Sequence, residues 1–244
     1  LFRSGLGVML ALIAAAALGF GLKLTRDPLD RYPQSARALL IVGMLMLGGA
    51  LVAFGSSAHL RGAQGVVVLG SLWVATMIGL AYYSRNTFLL TMGLLGLYHW
   101  IGAWNGMLGH STYAMAIQDP RLMAGFAAVM AGLGIAHDRL AYPPSFGVAI
   151  RSVSLLYFNT SLLILSIHTF GESADSRLLY VGLAAAGGIA QLIVGARFHD
   201  NTFSGFGLTF LGIQMFTRFF ERFWDALSKG VFFLAAGLDR KSVV

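Results

Sequence analysis

The chain has 244 residues, of which 57% are hydrophobic and only 11% are charged. A soluble domain carries about a quarter of its residues as charged side chains, so this composition excludes a water-soluble globular fold. Its formal net charge of +7 comes from lysines and arginines spread singly over the linkers, without the basic stripe that tracks nucleic-acid phosphates. We therefore expect the lipid bilayer as the main partner, with no nucleic acid. The chain has no cysteine, which excludes disulfides, thiolate metal sites and a cysteine nucleophile.

Eight apolar runs follow one another along the chain. They cover residues 5–24, 36–54, 66–83, 87–104, 122–137, 152–170, 178–196 and 204–219. Crossing a bilayer by helix takes about 20 residues, and the runs lack the strict alternation of barrel strands. Backbone polar groups in lipid must pair within their own segment. The sequence therefore predicts an all-α polytopic transmembrane helix bundle of about eight to nine membrane helices, forming one domain over residues 1–238.

Both ends of the sequence look like cuts. Residue 1 is Leu, and a ninth apolar run from Lys229 to Leu238 is only about ten residues long, too short to cross. Residues 239–244, Asp-Arg-Lys-Ser-Val-Val, match the translation of a common sequencing-adapter read, so we expect them to be an artefact. The alternative is a natural basic tail. Lysine and arginine are almost equally shared between the two sides, so their distribution predicts no orientation.

A weak internal repeat relates the two halves. Three pairs of segments match in order: Tyr32-Pro33 with Tyr142-Pro143, Asn86-Thr87-Phe88 with Asn201-Thr202-Phe203, and Gly19 and Gly21 with Gly132 and Gly134. These matches predict that residues 5–104 and 122–219 are duplicated four-helix units. Because four is even, the units would share one orientation, related by an axis along the membrane normal. Chance recurrence of short motifs is the alternative.

Several short motifs follow one another in an order that resembles the pattern of a known protein family. They are Pro33, Ala36-Arg37, Ala58-His59-Leu60, Trp73, Ser84-Arg85-Asn86, and the stretch from Thr217 to Asp225 with Gly230, Phe232, Phe233 and Gly237. In this order they resemble a bacterial family of predicted membrane proteins, domain of unknown function 2157. The family's usual amino-terminal cytoplasmic segment is missing here. The resemblance implies a multi-pass inner-membrane protein without an established activity, and it supplies no catalytic residues.

The histidines do not predict a cofactor or metal site. They are His59, His99, His110, His137, His168 and His199. Haem would need pairs at matched depth and zinc would need closely spaced ligands, and neither pattern occurs. Each histidine lies at or beyond the end of an apolar run, so we expect interfacial positions. His59, with Arg61 nearby, is the best candidate for a functional histidine.

Arg218 is the most informative single charge. Glu221 follows it at i+3, so the two side chains can pair on one helical face. A charge near hydrocarbon is costly unless it pairs or reaches the interface, which makes Arg218 and Glu221 candidate functional residues. Because aromatic residues surround Arg218, we expect its head group to extend into the headgroup layer, with a weak Glu221 contact. Arg151 is expected to be a plain interfacial anchor.

Polar residues and small residues also occur inside the apolar runs. Asn159, Gln191 and Gln214 are expected to hydrogen-bond across helices, and Thr160 belongs to the same class. If the two halves enclose a polar pathway, these residues would line it. The spacings Ala15 to Gly19, Ala128 to Gly132 and Ala184 to Gly188 predict close helix packing.

No motif predicts catalysis. The glycine-rich pieces lack the strand, turn and helix of a nucleotide loop, and no serine-nucleophile motif, His-Glu-x-x-His motif or intramembrane carboxylate pair is present. We therefore expect a non-enzymatic accessory or scaffold component of a membrane assembly, without cofactors, together with other membrane-protein subunits in a bacterial inner membrane. The alternative is a transporter-like protein that moves a small or lipid-linked substrate between the two halves.

Overall fold

The computed structural model describes residues 2–26, 31–57, 63–108, 119–140, 142–167 and 174–226. Within these ranges the chain forms eight α-helices and no strand, which confirms the all-α prediction. The helices are α1 (Phe2–Thr25), α2 (Pro33–Ser57), α3 (Ala63–Ser84), α4 (Thr87–Leu108), α5 (Pro120–His137), α6 (Pro144–Ile167), α7 (Ala174–Phe198) and α8 (Asn201–Ala226). The ninth apolar run and the tail 239–244 lie outside the described residues.

Of the described helices, four are long and apolar enough to cross a membrane. The spans lie in α1, α2, α6 and α7, at Gly5–Thr25, Pro33–Gly55, Pro144–Ile167 and Arg177–Phe198. Shorter apolar stretches, Val68–Ser84 and Thr87–Gly102, occupy most of α3 and α4. These lengths and compositions indicate a membrane protein.

Helix α6 begins earlier than the sequence predicts. The apolar run begins at Ser152, whereas the helix begins at Pro144, eight residues before it. Proline is favoured in the first turn of a helix because the missing N–H has no helical partner there. The early start carries Arg151 into the helix. Its side chain is buried. Hydropathy therefore predicts the start of the helix beside a charged residue that the protein in fact buries.

The described helices belong to two compact units, Leu1–Phe158 and Asn159–Val244, and the division falls inside α6. The first unit has one apolar core, drawn from α2 to α6. Its most buried large side chains are Leu40, Met44, Leu89, Leu90, Tyr98, Met123 and Phe146. The indole of Trp73 joins α3 to α2 by donating to the Met44 carbonyl at 3.1 Å.

Close approach of α1 to α2 depends on glycines that face the partner helix. A Cβ built on Gly21 would lie 3.2 Å from the Leu40 amide nitrogen, and one on Gly43 would lie 3.0 Å from that of Leu18. Among the described residues, no atom lies within 4 Å of a Cβ built on Gly19. The predicted Ala15 to Gly19 packing is therefore wrong, because that face of α1 is exposed.

The same correction applies to α5. A Cβ built on Gly132 meets nothing within 4 Å, whereas one on Gly134 would lie 3.1 Å from the Arg151 amide nitrogen. Ala128 is exposed, so the predicted Ala128 to Gly132 packing is also wrong. On both α1 and α5, the packing glycine is two residues later than predicted. A step of two residues turns a helix by about 200°, which places the later glycine on the opposite face.

In the second unit, α7 packs against α8 as the spacing Ala184 to Gly188 predicts. Ala184 and Gly188 are buried, and a Cβ built on Gly188 would lie 2.6 Å from Leu211. On α8, a Cβ on Gly207 would lie 2.8 Å from the Gly188 carbonyl oxygen. The two backbones therefore approach each other at this point, which only small residues permit.

A tight turn joins α3 to α4. Arg85 has a positive φ of 51°, and the Asn86 amide donates to the Ala81 carbonyl at 3.0 Å. The Asn86 side chain then caps α4, since its Oδ1 accepts from the amides of Phe88 at 3.0 Å and Leu89 at 3.3 Å. These contacts satisfy orphan groups at both helix ends.

The turn from α7 to α8 repeats three of these features, shifted by 114 residues. His199 has a φ of 52°, the Asp200 amide donates to the Gly195 carbonyl at 2.9 Å, and Asp200 Oδ1 accepts from the Thr202 amide at 2.8 Å. Asp200 is therefore the structural counterpart of Asn86. The sequence match with Asn201 was one residue out of register, because carboxylate and amide side chains cap helices equally well.

Candidate functional site

Two predicted polar residues of the second unit bind each other. Asn159 on α6 and Gln191 on α7 are both buried, at 4% and 5% exposure. Each carboxamide donates to the other at 3.0 Å. Reciprocal amide pairing satisfies donors and acceptors that would be costly to leave open in an apolar interior. The expected hydrogen bond across helices is present, and it joins α6 to α7.

Three further side chains donate hydrogen bonds to Ser166, near the end of α6. Its hydroxyl accepts from Gln214 Nε2 at 3.1 Å and from Arg218 Nη2 at 3.2 Å. Its carbonyl accepts from Arg218 Nη2 at 3.0 Å and from Arg177 Nε at 3.2 Å. The last carbonyls of a helix lack helical partners and carry partial negative charge, so the two guanidinium groups cap α6.

Glu221 completes this group, which we call the Ser166 cluster: Ser166, Arg177, Gln214, Arg218 and Glu221. Its two carboxylate oxygens lie 2.6 Å from Arg177 Nη2 and 2.6 Å from Arg218 Nη1. One carboxylate therefore bridges two guanidinium groups that are already held by the end of α6. Three helices of the second unit meet in the cluster, through the end of α6, the start of α7 and the last part of α8.

Arg218 departs from its predicted position. The sequence predicted a head group in the headgroup layer with a weak Glu221 contact, but the guanidinium faces Ser166 and Glu221 and its side chain is only 27% exposed. The pairing with Glu221 is confirmed, and the outward orientation is wrong. Ser166 explains the difference, because its unpaired carbonyl and its hydroxyl offer acceptors that hydropathy cannot locate.

Some polar atoms of the cluster have no partner. Among the described residues, Gln214 Oε1 and Arg218 Nε are buried without a hydrogen bond. Arg177 Nη1 also makes none within the described part of the chain, and the Arg177 side chain is 37% exposed. The cluster therefore retains guanidinium N–H donors, and one of its two arginines is open to the surroundings.

The first unit contains an ion pair between a buried arginine and an exposed carboxylate, which the sequence did not predict. Arg151 Nη1 donates to the Gly134 carbonyl at 3.2 Å and pairs with Asp138 at the end of α5. Arg151 was expected to be an interfacial anchor, and that expectation is wrong because its guanidinium points into the protein. The signal available in the sequence was Asp138, a carboxylate thirteen residues earlier in the turn before α6.

His137 is an exception to the prediction that the histidines lie at the membrane interface. It ends α5, but it is buried against aromatic rings. The ring centroids of Tyr82, Tyr142 and Phe146 lie 5.7, 5.8 and 6.1 Å from its own. His199 is exposed at the turn before α8, as expected for a chain reversal. A position at the end of an apolar run does not reveal whether a neighbouring helix covers the side chain.

Two candidate residues, His59 and Arg61, lie outside the described residues, as do His110 and His168. Within the described ranges, no group of three or more histidine and acidic side chains is placed to hold a metal ion. The structure therefore brings together the candidates Arg218, Glu221 and Gln214, and separately Asn159 and Gln191. Arg177 and Ser166 are members of the cluster that the sequence did not indicate.

Comparison with known proteins yields no relative. No family model matches the chain, no curated protein matches its sequence, and no solved structure matches its fold.

Proposed function

We propose that the chain is a non-enzymatic accessory or scaffold component of a membrane assembly, with eight to nine spans and two four-helix repeats. We place it in a bacterial inner membrane, in line with the resemblance to domain of unknown function 2157. The matched turns before α4 and α8 support the repeat, because the positive φ, the amide-to-carbonyl bond and the side-chain cap all recur at one shift.

The observation that carries this proposal is the amount of apolar side chain that no described residue covers. Large apolar residues stand more than 60% exposed on six of the described helices, for example Leu12 on α1, Val52 on α2, Val68 on α3, Val129 on α5, Ile193 on α7 and Met215 on α8. Lipid covers such surfaces, and so do the apolar faces of other membrane helices.

The transporter alternative has less support from the described residues. A pathway lined by Asn159, Gln191 or Gln214 requires polar groups that face an aqueous cleft. Instead, Asn159 and Gln191 bind each other, and Gln214 Nε2 binds Ser166. All three side chains are more than nine-tenths buried. Asn159 and Gln191 are paired with each other and Gln214 binds Ser166 through its Nε2, which is typical of interhelical adhesion.

The scaffold role is tested by extracting the protein from its native membrane and determining which other proteins are extracted with it. The tagged protein is extracted in polymer-bounded lipid discs, and the mass and subunit ratio of the particle are measured. We expect a complex of constant stoichiometry with at least one other membrane protein. Recovery of the chain only as a free monomer, at native expression level, would contradict the scaffold role.

A second measurement separates the two functions. The chain has no cysteine, so Gln191→Cys provides a single thiol at the proposed pathway. We expect it to resist a water-soluble methanethiosulfonate reagent, whereas Arg197→Cys, exposed at the end of the same helix, should react. Rapid reaction at position 191 in the folded protein would favour transport.

A further inference from the structure

The Ser166 cluster has the features of an anion site that is already organised. The Arg177 and Arg218 guanidinium groups are fixed by the Ser166 carbonyl, and Glu221 bridges them at 2.6 Å on each side. Binding therefore does not require these long side chains to be ordered first, which lowers the entropic cost. One carboxylate serves two guanidinium groups, so positive charge in the cluster is only partly compensated.

Donors remain available in the cluster. Arg177 Nη1 makes no hydrogen bond within the described residues, and its side chain is 37% exposed. Arg218 Nε, behind it, is buried without a partner in the same ranges. Guanidinium groups bind phosphate oxygens through forked hydrogen bonds, which are stronger than those between neutral groups. The chemistry that complements these donors is an oxyanion, and a phosphate suits the forked geometry.

The surface of α8 indicates where that phosphate comes from. Met215, Phe219 and Arg222 recur at i, i+4 and i+7, so they share one face of the helix. Met215 is 74% exposed, Phe219 is 53% exposed, and Arg222 is exposed as well. An apolar stripe thus leads to a cationic end beside Glu221. A soluble anion makes no use of such a stripe, whereas a phospholipid has acyl chains for its apolar part and a phosphate for its cationic part.

We propose that the Ser166 cluster binds the phosphodiester of an anionic phospholipid, with Arg177 as the main ligand and the exposed face of α8 against the acyl chains. Arg222 adds positive charge at the same end of α8. Arg218, Ser166 and Glu221 position Arg177. This inference depends on the protein lying in a bilayer, and it is independent of whether the protein serves as a scaffold.

The experiment measures the lipid that stays with the full chain. The protein is equilibrated in mixed micelles containing equal amounts of phosphatidylglycerol and phosphatidylcholine with identical acyl chains, and retained lipid is quantified by native mass spectrometry. We expect phosphatidylglycerol to be enriched by roughly tenfold, because phosphatidylcholine carries the same phosphodiester but its choline cation compensates the negative charge that attracts the guanidinium groups. Arg177→Gln should bring the ratio close to one. Arg177→Lys, which keeps the charge but loses the fork, should fall between the two.

Arg197→Gln is the matched control, because it removes an exposed arginine from the other end of the same helix. It should leave the enrichment unchanged. Equal retention of the two lipids by the wild-type protein, or equal losses in Arg177→Gln and Arg197→Gln, would overturn the proposal. Soluble glycerol phosphate in excess should not displace the lipid. If it does, the cluster holds a free anion, and the lipid assignment is wrong.

Discussion

The amide pair of Asn159 and Gln191 shows what a single residue contributes to this fold. An amide in an apolar interior is tolerated when its donors and acceptors are paired, and each of these side chains supplies both. Removing one partner therefore leaves the other uncompensated, whereas removing both leaves an apolar contact. The stability of the pair should depend on the combination of residues and not on either residue alone.

We predict that Asn159→Leu and Gln191→Leu each lower the free energy of unfolding by about 1 to 2 kcal/mol, while the double variant lies closer to the wild type than the sum of the two. Unfolding by sodium dodecyl sulfate in mixed micelles, followed by tryptophan fluorescence, measures all three. Thr160→Val, at the adjacent position of α6, is the control and should have little effect. Strictly additive losses would show that the two amides are not coupled.

The sequence predicts polar residues that pair with each other inside apolar runs. It does not predict residues that pair with the end of a helix. Asn159 and Gln191 stand out because they are polar in an apolar context. Ser166 does not stand out, because its role comes from an unpaired carbonyl at the position where α6 ends. The prediction for Arg151 was wrong for a related reason. Hydropathy places the end of an apolar helix at a charged residue, and Asp138, which pairs with Arg151, lies in a turn.

At the scale of elements, the apolar runs predicted the eight described helices, because a long continuous apolar run is typical of a buried or membrane-spanning helix. The contact faces were harder to predict. Gly19 and Gly21 are the same residue type in the same apolar run, but of the two only Gly21 faces α2. A helix that is apolar on all sides gives no periodic signal for its protein-facing side, so packing glycines must be distinguished by the structure.

The contact between α7 and α8 offers a matched test of such a glycine. We predict that Gly207→Ala lowers the free energy of unfolding by about 1 to 3 kcal/mol, because the new Cβ would lie 2.8 Å from the Gly188 carbonyl oxygen, and backbone cannot move aside as a side chain does. The measurement is the same detergent unfolding titration.

Gly205→Ala is the control for that prediction. It lies two residues earlier on α8, and a Cβ built there meets nothing within 4 Å. Alanine favours helix over glycine by about 1 kcal/mol, so this variant should be neutral or slightly more stable than the wild type. If Gly205→Ala and Gly207→Ala behave alike, the close approach of α7 and α8 does not contribute to stability.

For the whole molecule, the decisive quantity is the number of helices that cross the membrane. Four helices meet the length and composition of a span, and α3 and α4 contain shorter apolar stretches. The duplicated plan requires eight, because the turns before α4 and α8 match and parallel repeats of four spans return each turn to the same side. The even distribution of lysine and arginine does not decide between these numbers.

We predict that Arg85→Cys and His199→Cys react with a membrane-impermeant maleimide from the same side of sealed vesicles, because eight spans place both turns there. Crossing by α1, α2, α6 and α7 alone would also put both turns on one side, after two and four crossings, so the residue pairs that flank α5 and α8 decide between the two numbers of spans. Arg121→Cys and Arg139→Cys flank α5, and His199→Cys and Arg222→Cys lie towards the two ends of α8, so each pair should react from opposite sides if its helix crosses. All five native side chains are exposed, and the chain has no other thiol to label. Labelling of positions 85 and 199 from opposite sides would exclude the eight-span plan and, with it, the parallel repeat.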